Sequence, residues 1–224
     1  MARHAGPSGR AHRKGRSGVS PRQRAAARSL PRFVLSLLTE LWLLISSHHN
    51  ARDAIRTDNI LYTLNELTST LTAHRLPPLP AAPTLLSTSS TLRRPPDEPR
   101  GEYVAGELLL APAFTGGGDP QFLYATNRDD PSPAGDTLAI FSLENPEVPE
   151  YVAEVRTGLR HLRGAAIIGE DGRWVVLGGA RGGGVKIYER VDGGRALREV
   201  ASLPGIEQPT AFLWLREVLE TATS

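Results

Sequence analysis

From about residue 53 onward, apolar and polar positions are arranged in short runs separated by turn residues. This texture predicts β-strands at Ile60–Leu64, Leu67–His74, Thr84–Ser90, Glu107–Ala111, Phe122–Thr126, Thr137–Leu143, Tyr151–Arg156, Ala165–Ile168, Trp174–Leu177, Val185–Arg190, Leu197–Ser202 and Ala211–Leu215. Asp171-Gly172 and Asp192-Gly193 have the chemistry of tight hairpin turns. "LRRPPDEPRG" (92–101) and "RDDPSPAGD" (128–136) read as exposed loops, and "GGARGGG" (178–184) as a hairpin loop. No long amphipathic helix is predicted after residue 50, so this part of the chain is all-β.

The strands also repeat. "ILYTLNE" (60–66), "FLYATNR" (122–128) and "WVVLGGA" (174–180) align column by column, each opening on a large apolar residue and closing on small or polar ones. A second strand follows each copy ("LTSTLTAH", "DTLAIFSL", "GGVKIYER"), then a third ("TLLSTSS", "EYVAEVRT", "LREVASLP"). An extra strand precedes the second and third copies ("GELLLAPA", "RGAAIIGE"). A four-stranded unit of this size cannot bury both faces alone. Stacking the units around an axis solves the problem and predicts a partial β-propeller of three to four blades.

The N-terminal part is different. Residues 1–32 hold nine Arg or Lys and no acid, which predicts a disordered basic tail. "FVLSLLTELWLLI" (33–45), within a non-propeller segment 33–52, predicts one short apolar helix, too short for a membrane span, which needs about 20 apolar residues. The incomplete propeller is assigned to 53–218 and a C-terminal tail to 219–224. The sequence pI of about 9.2 belongs to the basic tail, because the remaining 17 basic and 24 acidic residues leave a net −7. That balance argues against nucleic acid as a partner. The absence of Cys excludes disulfides and thiolate chemistry. A cytoplasmic location is expected, with a mitochondrial one as the alternative through the Arg-rich N-terminus.

The repeat places Glu66, Arg128 and Ala180 at one position in successive blades, just past the end of the strand expected to lie nearest the axis. An acid and a base there could both reach a ligand over the channel; the alternative is a surface ion pair. The glycine run 178–184 lacks the Lys and following helix of a phosphate loop. His48-His49 has no third ligand at a recognisable spacing, and no metal site is assigned. Trp174 and Trp214 are expected in the core.

"LYTLNELTSTLT", "FLYATNRDDPSPAGDTLAIFSL", "TGLRHLRGAAI", "GGGVKIYERVDGG" and "PTAFLWL" resemble the lactonase-type seven-bladed propeller family, and most of all its fungal carboxy-cis,cis-muconate cyclases. The likeness runs from about residue 57 to 215. It implies a cofactor-free cycloisomerase that closes a carboxymuconate to its lactone, acting on a small polycarboxylate. A lactone hydrolase of the 6-phosphogluconolactonase type is the alternative, and a non-catalytic binding module a further one. It implies Glu66 as general acid–base and Arg128 as the clamp on a substrate carboxylate, with Arg163, Asn65 and Asn127 as substrate-binding. Two positions depart from the family: Asn65 stands where a His is usual, and "SHHNARDA" (47–54) stands where a Pro-Arg-His-like turn is usual. A closed ring of seven blades takes over 300 residues at roughly 40–50 each. The chain is therefore expected to form only an arc, as a truncated gene product or a half-propeller, with self-association through open blade edges.

Overall fold

The computed structural model describes residues 51–57 (backbone only), 59–78, 80–93, 103–112 and 122–214. The basic tail, the apolar segment 33–45, His48-His49 and the C-terminal tail lie outside these residues. Within them are twelve strands in three four-stranded antiparallel sheets. The first sheet holds β1 (Ala51–Thr57), β2 (Ile60–Asn65), β3 (Thr70–Arg75) and β4 (Thr84–Ser90). The second holds β5 (Val104–Ala111), β6 (Phe122–Arg128), β7 (Thr137–Ser142) and β8 (Glu150–Arg156). The third holds β9 (Arg160–Ile168), β10 (Trp174–Gly182), β11 (Gly184–Val191) and β12 (Ala196–Leu203). Each sheet is a meander in which sequence neighbours pair. Three successive sheets of this kind are blades of a partial propeller, as the repeat requires.

The period-2 alternation of strands explains why the blades stack. On β6, Leu123 and Ala125 face the first sheet, while Phe122 and Tyr124 face the third. On β7, Ala139 and Phe141 face the first sheet, and Leu138 and Ile140 the third. Every residue of β6 and β7 is buried: Phe122–Ala125 and Leu138–Phe141 are apolar on both faces, and the polar residues Thr126–Arg128, Thr137 and Ser142 sit at the strand ends. The core on one side adds Tyr62, Leu64 and Leu71, and the core on the other adds Leu162, Val175 and Leu177. Burying one such side chain stabilises the fold by about 1.5–3 kcal/mol.

The repeated Tyr has a structural cause. Tyr62 donates its hydroxyl to Pro146 O (2.7 Å), and Tyr124 donates to Gly194 O (2.8 Å). Pro146 and Gly194 both lie in the turn joining the last two strands of the next sheet. The same hydrogen bond therefore ties each of the first two sheets to its successor, and Val176 holds the third copy's column. Among the described residues, Tyr124 also accepts from Nε of the buried Arg190 at 3.0 Å.

Several sequence expectations are corrected. β5 packs against both β1 and β9, so the strand nearest the axis is the first of each sheet and not β2, β6 and β10. β1 was missed because Ala51–Thr57 carries charge and no apolar alternation. Leu67–Ser69 belong to the tight turn from Glu66 to Ser69, where Ser69 has φ 49°, so β3 starts only at Thr70. The glycine run is largely strand: β10 runs to Gly182 and β11 starts at Gly184, leaving a tight reversal at Gly183, φ 86°. Residues 211–214 form no strand; only Phe212 of them is partly buried, lying against one face of the third sheet. Added side chains at Gly164 and Gly178 would meet Phe212. Trp214 is half exposed, not core, whereas Trp174 is partly covered by the Arg173 guanidinium at 4.9 Å.

One irregularity recurs in all three first strands. The register of β1 slips between Ala51 and Asp53, that of β5 between Ala105 and Leu108, and that of β9 around Arg163. These are β-bulges opposite matching columns of the repeat: Leu64–Asn65 in β2, Ala125–Asn127 in β6 and Gly178–Gly179 in β10. In the middle sheet the bulge includes Gly106, where a Cβ would lie 2.4 Å from Thr126 Oγ1 and 2.8 Å from Leu162 O.

Candidate functional site

Glu66 follows the last residue of β2, and Arg128 is the last residue of β6. The bulge of β5 fixes both. Ala105 donates its N–H to Glu66 O at 3.0 Å, and its carbonyl accepts from Arg128 Nε at 3.5 Å. The two side chains form an ion pair between the first and second sheets, with Arg128 at 8% and Glu66 at 23% side-chain exposure. The acid is thus open enough to meet a ligand, while the base is held nearly dry beneath it.

The third sheet extends this pair. Arg128 Nη1 lies 3.2 Å from His161 Nε2, and His161 Nδ1 lies 2.7 Å from Asp129 Oδ1. Arg181 Nη1 donates to the same Asp129 oxygen at 3.1 Å. Ala180 supplies no charge at the third repeat position, but its neighbour Arg181 does. Asp129 and His161 both have positive φ, 64° and 58°. For residues with a Cβ this conformation costs about 1–2 kcal/mol each, and Asp and His are among the types that tolerate it best.

Asp136 holds the floor of this region. It is fully buried and accepts from Asp130 N and Leu162 N, both at 3.0 Å. Burial raises its pKa above the usual carboxylate value, and the N–H groups of Asp130, Leu162 and His161 oppose that rise. Arg160 Nη1 donates to Asp130 O at 2.9 Å, and Arg156 pairs with the Asp130 carboxylate. The segment 128–136 is therefore exposed only in its middle. Its two ends are buried because they carry the polar contacts between the second and third sheets.

The other sequence-assigned residues are placed differently. Asn127 is fully buried; its Nδ2 donates to Thr91 O (2.8 Å) and Thr137 Oγ1 (3.1 Å), and its Oδ1 accepts from Thr91 Oγ1 (2.6 Å). Asn65 is buried, with Nδ2 donating to Thr70 Oγ1 at 3.2 Å and Oδ1 without a partner among the described residues. Arg163 is half-buried at the bulge of β9 and forms no ion pair among the described residues. Sequence reading missed His161, Asp129 and Arg181. The only signals were the Arg-His pair of "TGLRHLRG" and the acid after the T-N-R turn; which strand ends meet is set by blade packing. Among the described residues no three His, Asp or Glu converge as metal ligands would. No described helix is long and apolar enough to cross a membrane. A polar cavity of about 440 Å³, lined by Arg93, Tyr103, Asp130, Glu154 and Arg156 among others, touches this region at Asp130 and includes neither Glu66 nor Arg128.

Comparison with known proteins bears on this geometry. The family described as lactonase, 7-bladed beta-propeller, matches residues 47–214. Among solved structures, a candidate 6-phosphogluconolactonase of Bacteroides fragilis is similar at 20% identity and TM-score 0.57, over 73% of this chain and 41% of its own. The periplasmic gluconolactonase of Pseudomonas aeruginosa is similar at 17% identity and TM-score 0.57, over 73% and 42%. A Lactobacillus plantarum protein is similar at 15% identity and TM-score 0.59, over 73% and 44%. The chain thus spans about two fifths of the length of these structures, and at such identities the likeness establishes the fold alone. No curated protein sequence matches it.

Proposed function

Because this chain belongs to the seven-bladed β-propeller lactonase family, we propose that its lineage hydrolyses a sugar lactone of the gluconolactone type, with Glu66 and Arg128 at the reacting end of the substrate. The observation that carries this reading is the Glu66–Arg128 ion pair. Beside a guanidinium, Glu66 is presented as a carboxylate, the form a general base needs. The carboxylate takes a proton from water as the water oxygen attacks the lactone carbonyl carbon. The ring C–O bond then breaks, and the same proton passes to the leaving oxygen, giving the open hydroxy acid. Arg128 neutralises the negative charge that develops on the carbonyl oxygen. Arg163, at the bulge of the strand nearest the axis, contacts an anionic substituent such as a 6-phosphate. In this reading Asn65 borders the acid, and Asn127 braces the strand that carries Arg128.

The test is lactone hydrolysis by the full chain, followed as proton release with gluconolactone and its 6-phosphate. Glu66→Gln is expected to lower kcat about 10²–10⁴-fold, the range for loss of a general base. Hydrolysis indifferent to Glu66→Gln and Arg128→Met rejects the roles. A second reading, cycloisomerisation of a carboxymuconate, is favoured by the E-L-T-S-T run after Glu66 and the T-N-R turn at Arg128. It requires Glu66 to deliver a proton to carbon, and loss of the diene's ultraviolet absorbance on incubation with 3-carboxymuconate would select it over hydrolysis.

A further inference from the structure

We propose that Asp129 and His161 form a positioning couple that locks the His161 ring in its Nδ1–H tautomer, and so gives Arg128 an acceptor that fixes its guanidinium against Glu66. This rests on the reading of Glu66 and Arg128 as the reacting pair. A guanidinium nitrogen donates and never accepts, so the 3.2 Å contact from Arg128 Nη1 requires a lone pair on His161 Nε2. The single ring proton then resides on Nδ1, where Asp129 Oδ1 waits at 2.7 Å. This is the reverse of the tautomer a free imidazole prefers. Arg181 shares the Asp129 oxygen at 3.1 Å, which holds the carboxylate in place from its exposed side.

Backbone geometry bears on the pairing of the two side chains. The two non-glycine residues that meet in this hydrogen bond are both in the left-handed region, and the ring they orient is buried at 6% exposure. Strained residues held together in this way mark places where a side chain must be aimed. Glu66, Arg128, Asp129 and Arg181 are the charged groups linked to the ring through these contacts. A doubly protonated ring would turn an N–H and a positive charge toward Arg128, so the neutral ring is the one that keeps the pair assembled.

The direct test is nitrogen NMR of the full chain labelled at histidine, with the ring assigned by its loss in His161→Gln, or in His161→Asn should that substitution fold better. The expected spectrum at neutral pH has His161 protonated at Nδ1 and bare at Nε2, with Asp129→Ala, which removes the acceptor of the Nδ1 proton, shifting it toward the opposite tautomer. A ring protonated at Nε2, alone or with Nδ1, overturns the proposal. In lactone hydrolysis, Asp129→Asn is expected to lower kcat 10–100-fold with KM changed less than threefold. Unchanged kcat in that variant also counts against the couple. A chain that shows the expected tautomer but hydrolyses no lactone sinks the functional reading and leaves the tautomer lock standing; an active chain with an Nε2–H ring does the reverse.

Discussion

Tyr62 and Tyr124 occupy the same column of the repeat, 62 residues apart, and make the same bond: each donates its hydroxyl to a carbonyl in the last turn of the following sheet. Each phenol also fills the core between the sheets it joins. Tyr62→Phe is expected to cost about 0.5–1.5 kcal/mol, the net worth of one hydrogen bond. Tyr124→Phe is expected to cost more, about 1–3 kcal/mol, because Arg190 Nε loses its acceptor as well. Urea unfolding midpoints at constant slope measure both.

The Glu66–Arg128 pair should contribute to stability as well as to chemistry, since Arg128 is almost completely covered. Glu66→Gln is expected to destabilise by about 1–3 kcal/mol, below the 3–5 kcal/mol of a fully buried pair because the acid still reaches water. A double-mutant cycle with Arg128→Met should return a coupling of about 0.5–3 kcal/mol. Additive effects would show that the two side chains stand apart in solution.

Gly106 gives the sharpest test of the bulge. Its missing Cβ would fall 2.4 Å from Thr126 Oγ1 and 2.8 Å from the Leu162 carbonyl, so backbone of the third sheet would have to retreat. Gly106→Ala is expected to cost about 1–3 kcal/mol by overpacking. Gly205 has no atom within 4 Å of a built Cβ, and Gly205→Ala should be close to neutral. Paired thermal melts compare the two.

Three tyrosines make the fold sensitive to alkali. Tyr124, Tyr151 and Tyr188 all have pKa values raised above 10.0, chiefly by burial, with Glu154 adding to the rise at Tyr151 and Glu199 at Tyr188. In the unfolded chain they ionise near 10. Between that value and the folded pKa values, the unfolded state has lost protons that the folded state keeps. Stability from these groups is therefore complete below pH about 10 and falls as pH rises further. Tyrosinate absorbance should appear in step with loss of structure, and titration of all five tyrosines before unfolding would contradict the assigned burial.

Much of the fold was legible because its signals are local. Phe122–Arg128 and Thr137–Ser142 announce themselves as strands through β-branched and aromatic residues, and Asp192-Gly193 adopts the paired positive φ of a hairpin turn, 51° and 62°. β1 was not legible, since its place in a sheet comes from pairing with β2, not from an apolar pattern of its own. Ala211–Leu215 reads as a strand, and 211–214 fail to become one because a strand needs a neighbouring ladder as well as suitable residues. In the site, Glu66 and Arg128 could be found by their shared column. His161 and Asp129 could not, because nothing in the one-dimensional pattern says that the start of β9 faces the residue after β6.

What the amino-acid order determined by itself was the period: strand lengths, turn positions and a unit copied three times, each the outcome of interactions between residues close in the chain. Which strand of the unit lies innermost, which polar groups are left dry, and which partners they then find were decided only by stacking one sheet on the next. An unpaired polar group is costly once water is excluded; Arg128 and His161 are the two that stacking buries, and Glu66 and Asp129, both still open to solvent, are the partners they find across three blades.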